Sequence, residues 1–452
     1  MDKTSIHGMW SSRLMFILAA TGSAVGLGNI WRFPYMASDN GGGAFVLVYL
    51  ACIAIVGLPI LIAEILIGRH GRVSPVNTLR GLAKESGTSR NWVAIGWLGI
   101  VAGILILSFY SVVAGWTLHY AWLYLKQLFG GAAITDPGAT FTSLLSNPFE
   151  LTFWHGLFML LTVAVVALGV EHGLERAVRF LMPALFLMLL ILVAYGFTTG
   201  HVGEAAAFLF RPDWSKIDGN VFLRAMGQAF FTLSLGMCAM MTYGAYLPRS
   251  GISIPRVGAA VALTDTAVAL LAGMAIFPLV IAFGLDPAGG GPGLIFNSLP
   301  LAFNEMPFGI VYGLLFFGLL SVAAWTSSIS LLEPATAFLV EKYGMASRKR
   351  AALSIAVLCW ALGLLSVLSL NVWSDVRILD RDIMTFIEFI ANDLMLPLGG
   401  MLIALFTGWA LNNTILREQL SEMPEALFTA WRWLLRIVAP ALVLVVLLRA
   451  LA

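Results

Sequence analysis

Apolar residues run along this chain in long unbroken stretches, with polar residues gathered into short intervals between them. A membrane-crossing helix needs about 20 apolar residues, and eleven stretches reach that length, at roughly 13–37, 42–68, 92–126, 151–170, 177–199, 222–246, 257–284, 309–341, 350–370, 384–411 and 428–450. They are numbered here as spans one to eleven. The pattern predicts an all-α polytopic membrane protein with little left over for a soluble domain.

Two spans are interrupted in the middle. Span one contains Gly22-Ser23-Ala24-Val25-Gly26-Leu27-Gly28-Asn29, and glycines cost a helix roughly 1 kcal/mol each relative to alanine. Unpaired backbone inside a bilayer persists only where it lines protein or water. A break at that depth offers carbonyls to a cation and N–H groups at a helix N-terminus to an anion. Two other readings stand beside it: Gly22 and Gly26 as small residues letting helices pack closely, and a nucleotide-binding glycine loop, which lacks its strand and downstream acid. Span six repeats the logic with Thr232, Ser234 and Gly236 at its middle. Interrupted helices in matching positions predict two inverted five-helix repeats, 1–200 and 201–412, with 413–452 as a peripheral span.

Composition agrees with the pattern. The chain is 60% hydrophobic and 11% charged with a net charge of +2, and its mean hydropathy is +0.90. So small a net charge gives no reason to expect a nucleic-acid partner. Cys52, Cys238 and Cys359 fall within apolar spans, where they read as small buried hydrophobes. The first apolar run continues through the glycine-rich break, so it reads as an inserting span and not as a cleaved signal peptide.

Lys and Arg in the loops set the orientation. Arg69, Arg72, Arg80, Lys84 and Arg90 follow span two, Arg176 and Arg179 follow span four, and Lys342, Arg348, Lys349 and Arg350 follow span eight. These predict a cytoplasmic N-terminus and, after eleven spans, a C-terminus on the extracellular or periplasmic side of an inner membrane.

Polar residues inside the spans are the candidate chemistry. Asp265 in span seven must meet a cation, a proton or a donor, because a bare carboxylate at that depth is costly. Glu64 in span two reads as tied to the broken helix or to Arg69, with a functional role as the alternative. Tyr110 in span three needs a partner for its phenol, a neighbouring carbonyl or a ligand. Thr326, Ser327 and Ser328 in span eight either bond back to the preceding turn or face the unwound backbone and offer oxygens to a hard monovalent cation. In span five, Gly173 and Pro183 bracket a charged segment that reads as an easily unwound gate or a fixed kink. No catalytic residue is assigned: a membrane enzyme would need a nucleophile with a base, and no histidine falls near Ser234 or Asp265. A channel would need a continuous polar stripe or charged ring.

Four strings carry a resemblance across nearly the whole chain: Gly22 to Arg32 with Phe33-Pro34, Asn40 to Phe45, Gln228 to Gly236, and Thr326-Ser327-Ser328. They resemble a bacterial member of the neurotransmitter:sodium symporter family, whose fold is called LeuT-like. The resemblance implies two sodium sites. One takes the carbonyls of Gly22, Val25 and Ala323 with the hydroxyls of Thr326 and Ser327. The other takes the Ala24 carbonyl, Asn29, Thr232, Asp265 and the substrate carboxylate. That carboxylate would also meet the N–H groups of Leu27 and Gly28 and the Tyr110 hydroxyl. The substrate ammonium would meet carbonyls of Ala24, Phe231 and Thr232 and the Ser234 hydroxyl, and Ile106, Phe231, Met237 and Leu331 would line the side-chain pocket. Arg32 and Glu388 resemble an outer gate, and Trp10, Tyr246 and a His7–Glu341 pair an inner gate.

The implied function is sodium-coupled symport of a hydrophobic or neutral L-amino acid by alternating access, with a proton-coupled carrier as the alternative. Gly26 stands where monoamine carriers have Asp, and leaves room for a substrate's own carboxylate. Ala269 stands where chloride-dependent relatives have Ser, and Asp265 where Asn is usual, so chloride independence is expected, with Asp265 taking a proton on the return step. The family's twelfth span is expected to be missing.

Overall fold

The computed structural model describes residues 6–248, 251–285, 293–344 and 348–451. Among the described residues there is no β-strand, and nearly every ordered segment is helical. Among the described residues nine helices are long and apolar enough to cross a membrane: Gly43–Gly71, Arg90–Leu128, Pro148–Val166, Val170–Thr199, Ile254–Ala282, Gly309–Tyr343, Arg348–Ser369, Ile383–Ala410 and Glu425–Leu451. A tenth crossing is the pair Arg13–Ala24 and Gly28–Asp39, bent by 53°. Span six is not in that set because it is divided into Gly219–Thr232 and Ala239–Ala245, 14 and 7 residues long.

Both expected breaks are present, and their geometry differs. In span one the helix stops at Ala24, Val25 is extended, and the chain resumes through a loosened π turn, Gly28–Arg32. In span six the chain unwinds between Leu233 and Cys238, where Ser234, Gly236 and Cys238 have φ of 54°, 79° and 60°. Left-handed backbone is uncommon for residues with a Cβ, so two of these three positions hold a conformation that only the surrounding packing stabilises.

The two broken spans lie side by side at the centre. The Arg13–Ala24 half packs against spans five, seven and eight and the second half of span six, while Gly28–Arg32 packs against spans six and seven. Spans three and eight run along each other over much of their length and wall the site from the opposite side.

Two loop assignments change. Arg176 and Arg179 lie within span five, because the chain turns at Gly169 and the helical segment already begins at Val170. Arg348 to Arg350 likewise open span nine. Arg179 reaches water from inside its helix, while Arg348 is buried against Glu333, and sequence hydropathy therefore places the starts of these spans too late.

Candidate functional site: a cation and zwitterion pocket at two helix breaks

Oxygen atoms converge where the break in span one meets span eight. Ser327 Oγ donates toward the carbonyls of Gly22 at 3.3 Å and Val25 at 3.2 Å. Thr326 Oγ1 bonds back to Ala323 O at 3.0 Å. All five residues of the first expected sodium set thus meet in one cluster, and every one is buried. An oxygen-only cluster with no carboxylate suits a hard monovalent cation.

Three members of the second set, Asn29, Thr232 and Asp265, meet around the Asp265 carboxylate, which is fully buried. Asn29 Nδ2 donates to Asp265 Oδ1 at 2.7 Å, and Thr232 Oγ1 lies 3.0 Å from both carboxylate oxygens. The Asn29 amide oxygen accepts the Gly26 N–H at 3.0 Å, tying this carboxylate to the break. Sequence reasoning missed Tyr49, whose hydroxyl reaches Asp265 Oδ2 at 3.5 Å, and Gln228, whose Nε2 donates to Gly28 O at 2.8 Å. Both are polar groups within apolar spans, and that was the available signal.

Between the two clusters lies a small cavity of about 20 Å³ lined by Ser23, Ala24, Gly26, Gly28, Ile106, Tyr110, Phe231, Ser234, Met237, Ser327 and Leu331. All four expected pocket residues, Ile106, Phe231, Met237 and Leu331, are in that wall. Tyr110 OH accepts the Leu27 N–H at 3.3 Å, and Ser234 Oγ donates to Ser23 O at 3.0 Å. Thr232 is turned toward Asp265, and Leu27 faces the outer cavity. A Cβ on Gly26 would fall 2.5 Å from Ser327 Oγ and 2.9 Å from Tyr110 OH, so only glycine fits between spans three and eight.

Above this pocket an open cavity of about 1290 Å³ holds Arg32, Glu388 and Asp393. Tyr110 and Phe231 line both spaces and separate them. Arg32 and Glu388 do not pair as an outer gate: among the described residues Arg32 makes no ion pair, and its guanidinium sits 4.9 Å over the Phe231 ring. Glu388 instead accepts from Asn392 Nδ2 at 3.4 Å. With this side open, the two charges stand apart across the cavity.

The opposite side is sealed. Trp10 is buried, its backbone N–H bonded to Tyr246 O and its indole N–H to Tyr243 O, both at 3.0 Å. His7 Nε2 lies 2.9 Å from Glu341 Oε1, and Ser74 and Asn77 also donate to that carboxylate. Tyr246 OH donates to Glu333 Oε1 at 2.7 Å, and Arg348 Nη2 bridges to Glu333 Oε2 at 2.7 Å. Glu333 and Arg348 were not foreseen in this role, since Arg348 reads as a loop charge until the helix is seen to include it. Glu64 is tied to the second break: its Oε1 accepts the Gly236 N–H at 2.8 Å, while Arg69 bonds Gln419 and Ile252 O.

Comparison with known proteins bears on this arrangement. The sequence model described as the sodium:neurotransmitter symporter family matches residues 7–131 and 142–452. An uncharacterised sodium-dependent transporter of Bacillus subtilis, YhdH, is 37% identical over 442 residues, covering 97% of this chain and 96% of that protein. Another from Methanocaldococcus jannaschii, MJ1319, is 32% identical over 456 residues, covering 95% and 88%. The crystal structure of MhsT in complex with L-phenylalanine aligns with a TM-score of 0.90 at 44% identity, covering 98% of this chain and 99% of that one.

Proposed function

Because this chain belongs to the sodium:neurotransmitter symporter family and has its LeuT-like fold, we propose that it couples sodium entry to uptake of a hydrophobic L-amino acid. Sodium-coupled transport is what the family does. The amino-acid class rests on one observation: four apolar side chains, Ile106, Phe231, Met237 and Leu331, line one small cavity together with the non-helical backbone of both breaks. Backbone N–H groups near Tyr110 suit a carboxylate, carbonyls at Ala24 and Phe231 suit an ammonium, and the apolar wall suits the side chain. MhsT was solved with L-phenylalanine, and the same class of substrate is proposed here, with the four apolar side chains moving apart to widen a cavity of about 20 Å³.

In this reading one sodium ion sits among Gly22, Val25, Ala323, Thr326 and Ser327, and the other among Ala24, Asn29, Thr232, Asp265 and the substrate carboxylate. Residues 1–200 and 201–412 act as the two inverted repeats, with 413–452 peripheral. Arg32 and Glu388 approach when the outer cavity closes, and Trp10, Tyr246, His7 and Glu341 separate when the inner side opens. The N-terminus faces the cytoplasm and the C-terminus the other side of an inner membrane.

Transport is proposed to be independent of chloride. Asp265 places a fixed negative charge among Asn29, Thr232 and Tyr49, and Ala269 has no hydroxyl to offer an anion. Proteoliposome uptake in chloride-free gluconate buffer tests this, and the same assay under a pH gradient reads the proton antiport expected of Asp265. A panel of L-amino acids under an inward sodium gradient tests the function itself; no sodium-driven uptake of any of them contradicts it.

A further inference from the structure

Span eleven carries two arginines in its first half, where an apolar helix has no evident use for them. In Glu425–Leu451, Arg432 and Arg436 are four residues apart and so share a face. The face meets the end of span ten. Arg436 Nε donates to Gly408 O at 2.7 Å, its guanidinium lies 4.7 Å over the Trp409 ring, and Trp409 Nε1 donates back to Arg436 O at 3.1 Å. Arg432 Nη1 donates to Asn413 Oδ1 at 2.7 Å, and its Nε–H is shielded from solvent with no hydrogen-bond partner.

No acid neutralises this pair. Among the described residues neither arginine forms an ion pair; Glu425 is engaged by Arg417, at 2.5 Å to each oxygen, and Glu418 and Glu422 pair with neither. Two guanidinium groups one turn apart repel each other unless an anion comes between them.

The depth of the site points to the source of that anion. Trp409 and Trp433 are 61% and 55% exposed, and tryptophans turned outward on membrane helices sit at the headgroup level. Arg432 lies seven residues beyond Glu425, about 10 Å along the axis at the usual helical rise. At that height the abundant anions are lipid phosphates, and the planar guanidinium fork matches a phosphate through two parallel hydrogen bonds.

We propose that Arg432 and Arg436, with Asn413 and the Trp409 and Trp433 rings, form a binding site for the phosphate headgroup of an anionic phospholipid. Arg436, held by Gly408 and Trp409, supplies the fixed half of the site, and Arg432 the half with donors to spare. The ligand chemistry is a phosphate diester, so a lipid and free phosphate are the two sources to be separated.

The test uses the full-length protein, delipidated and titrated with phosphatidylglycerol, with phosphatidylcholine or with inorganic phosphate, and followed by native mass spectrometry. Retention of one phosphatidylglycerol in about tenfold or greater preference over phosphatidylcholine is expected, each basic residue near such a headgroup contributing on the order of 1 kcal/mol. The double variant Arg432→Gln with Arg436→Gln should lose the preference while its transport in neutral lipid is unchanged. If the double variant does not fold, Arg432→Gln alone should still reduce the preference by about threefold or more. Equal retention of the two lipids by the wild type, wild-type preference in a folded variant, or displacement of the lipid by millimolar inorganic phosphate each overturns the proposal.

Discussion

Glu175 accepts both the backbone N–H of Ser11 at 2.9 Å and its hydroxyl at 2.5 Å. A single buried carboxylate at the head of span five therefore latches the segment that carries Trp10. Hydrogen bonds to a charged group contribute about 1.5–3 kcal/mol each, so Glu175→Ala should loosen the inner seal far more than a surface change would. Deuterium exchange over residues 8–12 should rise by about tenfold or more, since 1.4 kcal/mol is a factor of ten. Unchanged exchange would show that Trp10 alone holds the segment.

Span five is helical from Glu175 to Gly196 with Pro183 inside it, and Met182 packs against Gly22 at the edge of the first oxygen cluster. Removing an interior proline relieves a helix penalty of about 3 kcal/mol. Pro183→Ala should therefore slow release of the ion on the inner side and lower exchange across 173–183. Transport and exchange both matching the wild type would make the proline a fixed kink. Gly173→Ala is the wrong test, because the new Cβ would lie 2.1 Å from Val165 O.

Gly26→Ala tests the fit of the break between spans three and eight. The added methyl must displace Ser327 Oγ or Tyr110 OH, and overpacking of this kind costs about 1–3 kcal/mol. Substrate affinity should fall by about tenfold or more, and sodium affinity with it, because Ser327 belongs to the ion cluster. Isothermal titration reads both, and wild-type affinities would show that the glycine serves only helix flexibility.

Asp265→Asn probes the fixed charge directly. The variant should transport poorly in gluconate and gain little from added chloride, because Ala269 offers an anion no hydroxyl. A variant that stays active without chloride would remove Asp265 from the charge-balancing role.

Much of this was legible in the sequence because the bilayer makes strong demands. Long apolar runs gave the spans, and Gly22, Gly26 and Gly28 marked the first break, with close helix packing as the other reading of Gly22 and Gly26. Thr326, Ser327, Asn29, Thr232 and Asp265 were recognisable as polar groups at one depth, and a shared motif set their partners. The inner seal was less legible. Glu333 and Arg348 meet only after the chain has turned between spans eight and nine, and Ser11 meets Glu175 across 164 residues. Such long-range pairs leave no periodicity behind. The Arg32–Glu388 contact is absent here for a different reason: a motif names the two residues that can meet, and the conformation, open on this side, decides whether they do.

If the two oxygen clusters bind sodium, the sodium gradient drives amino-acid uptake. Purified protein in liposomes, loaded with potassium and diluted into sodium, should accumulate labelled L-leucine or L-phenylalanine above equilibrium, and Ser327→Ala with Thr326→Ala should abolish the accumulation. Uptake that proceeds equally with potassium on both sides, or that survives in the double variant, would contradict sodium coupling through these clusters.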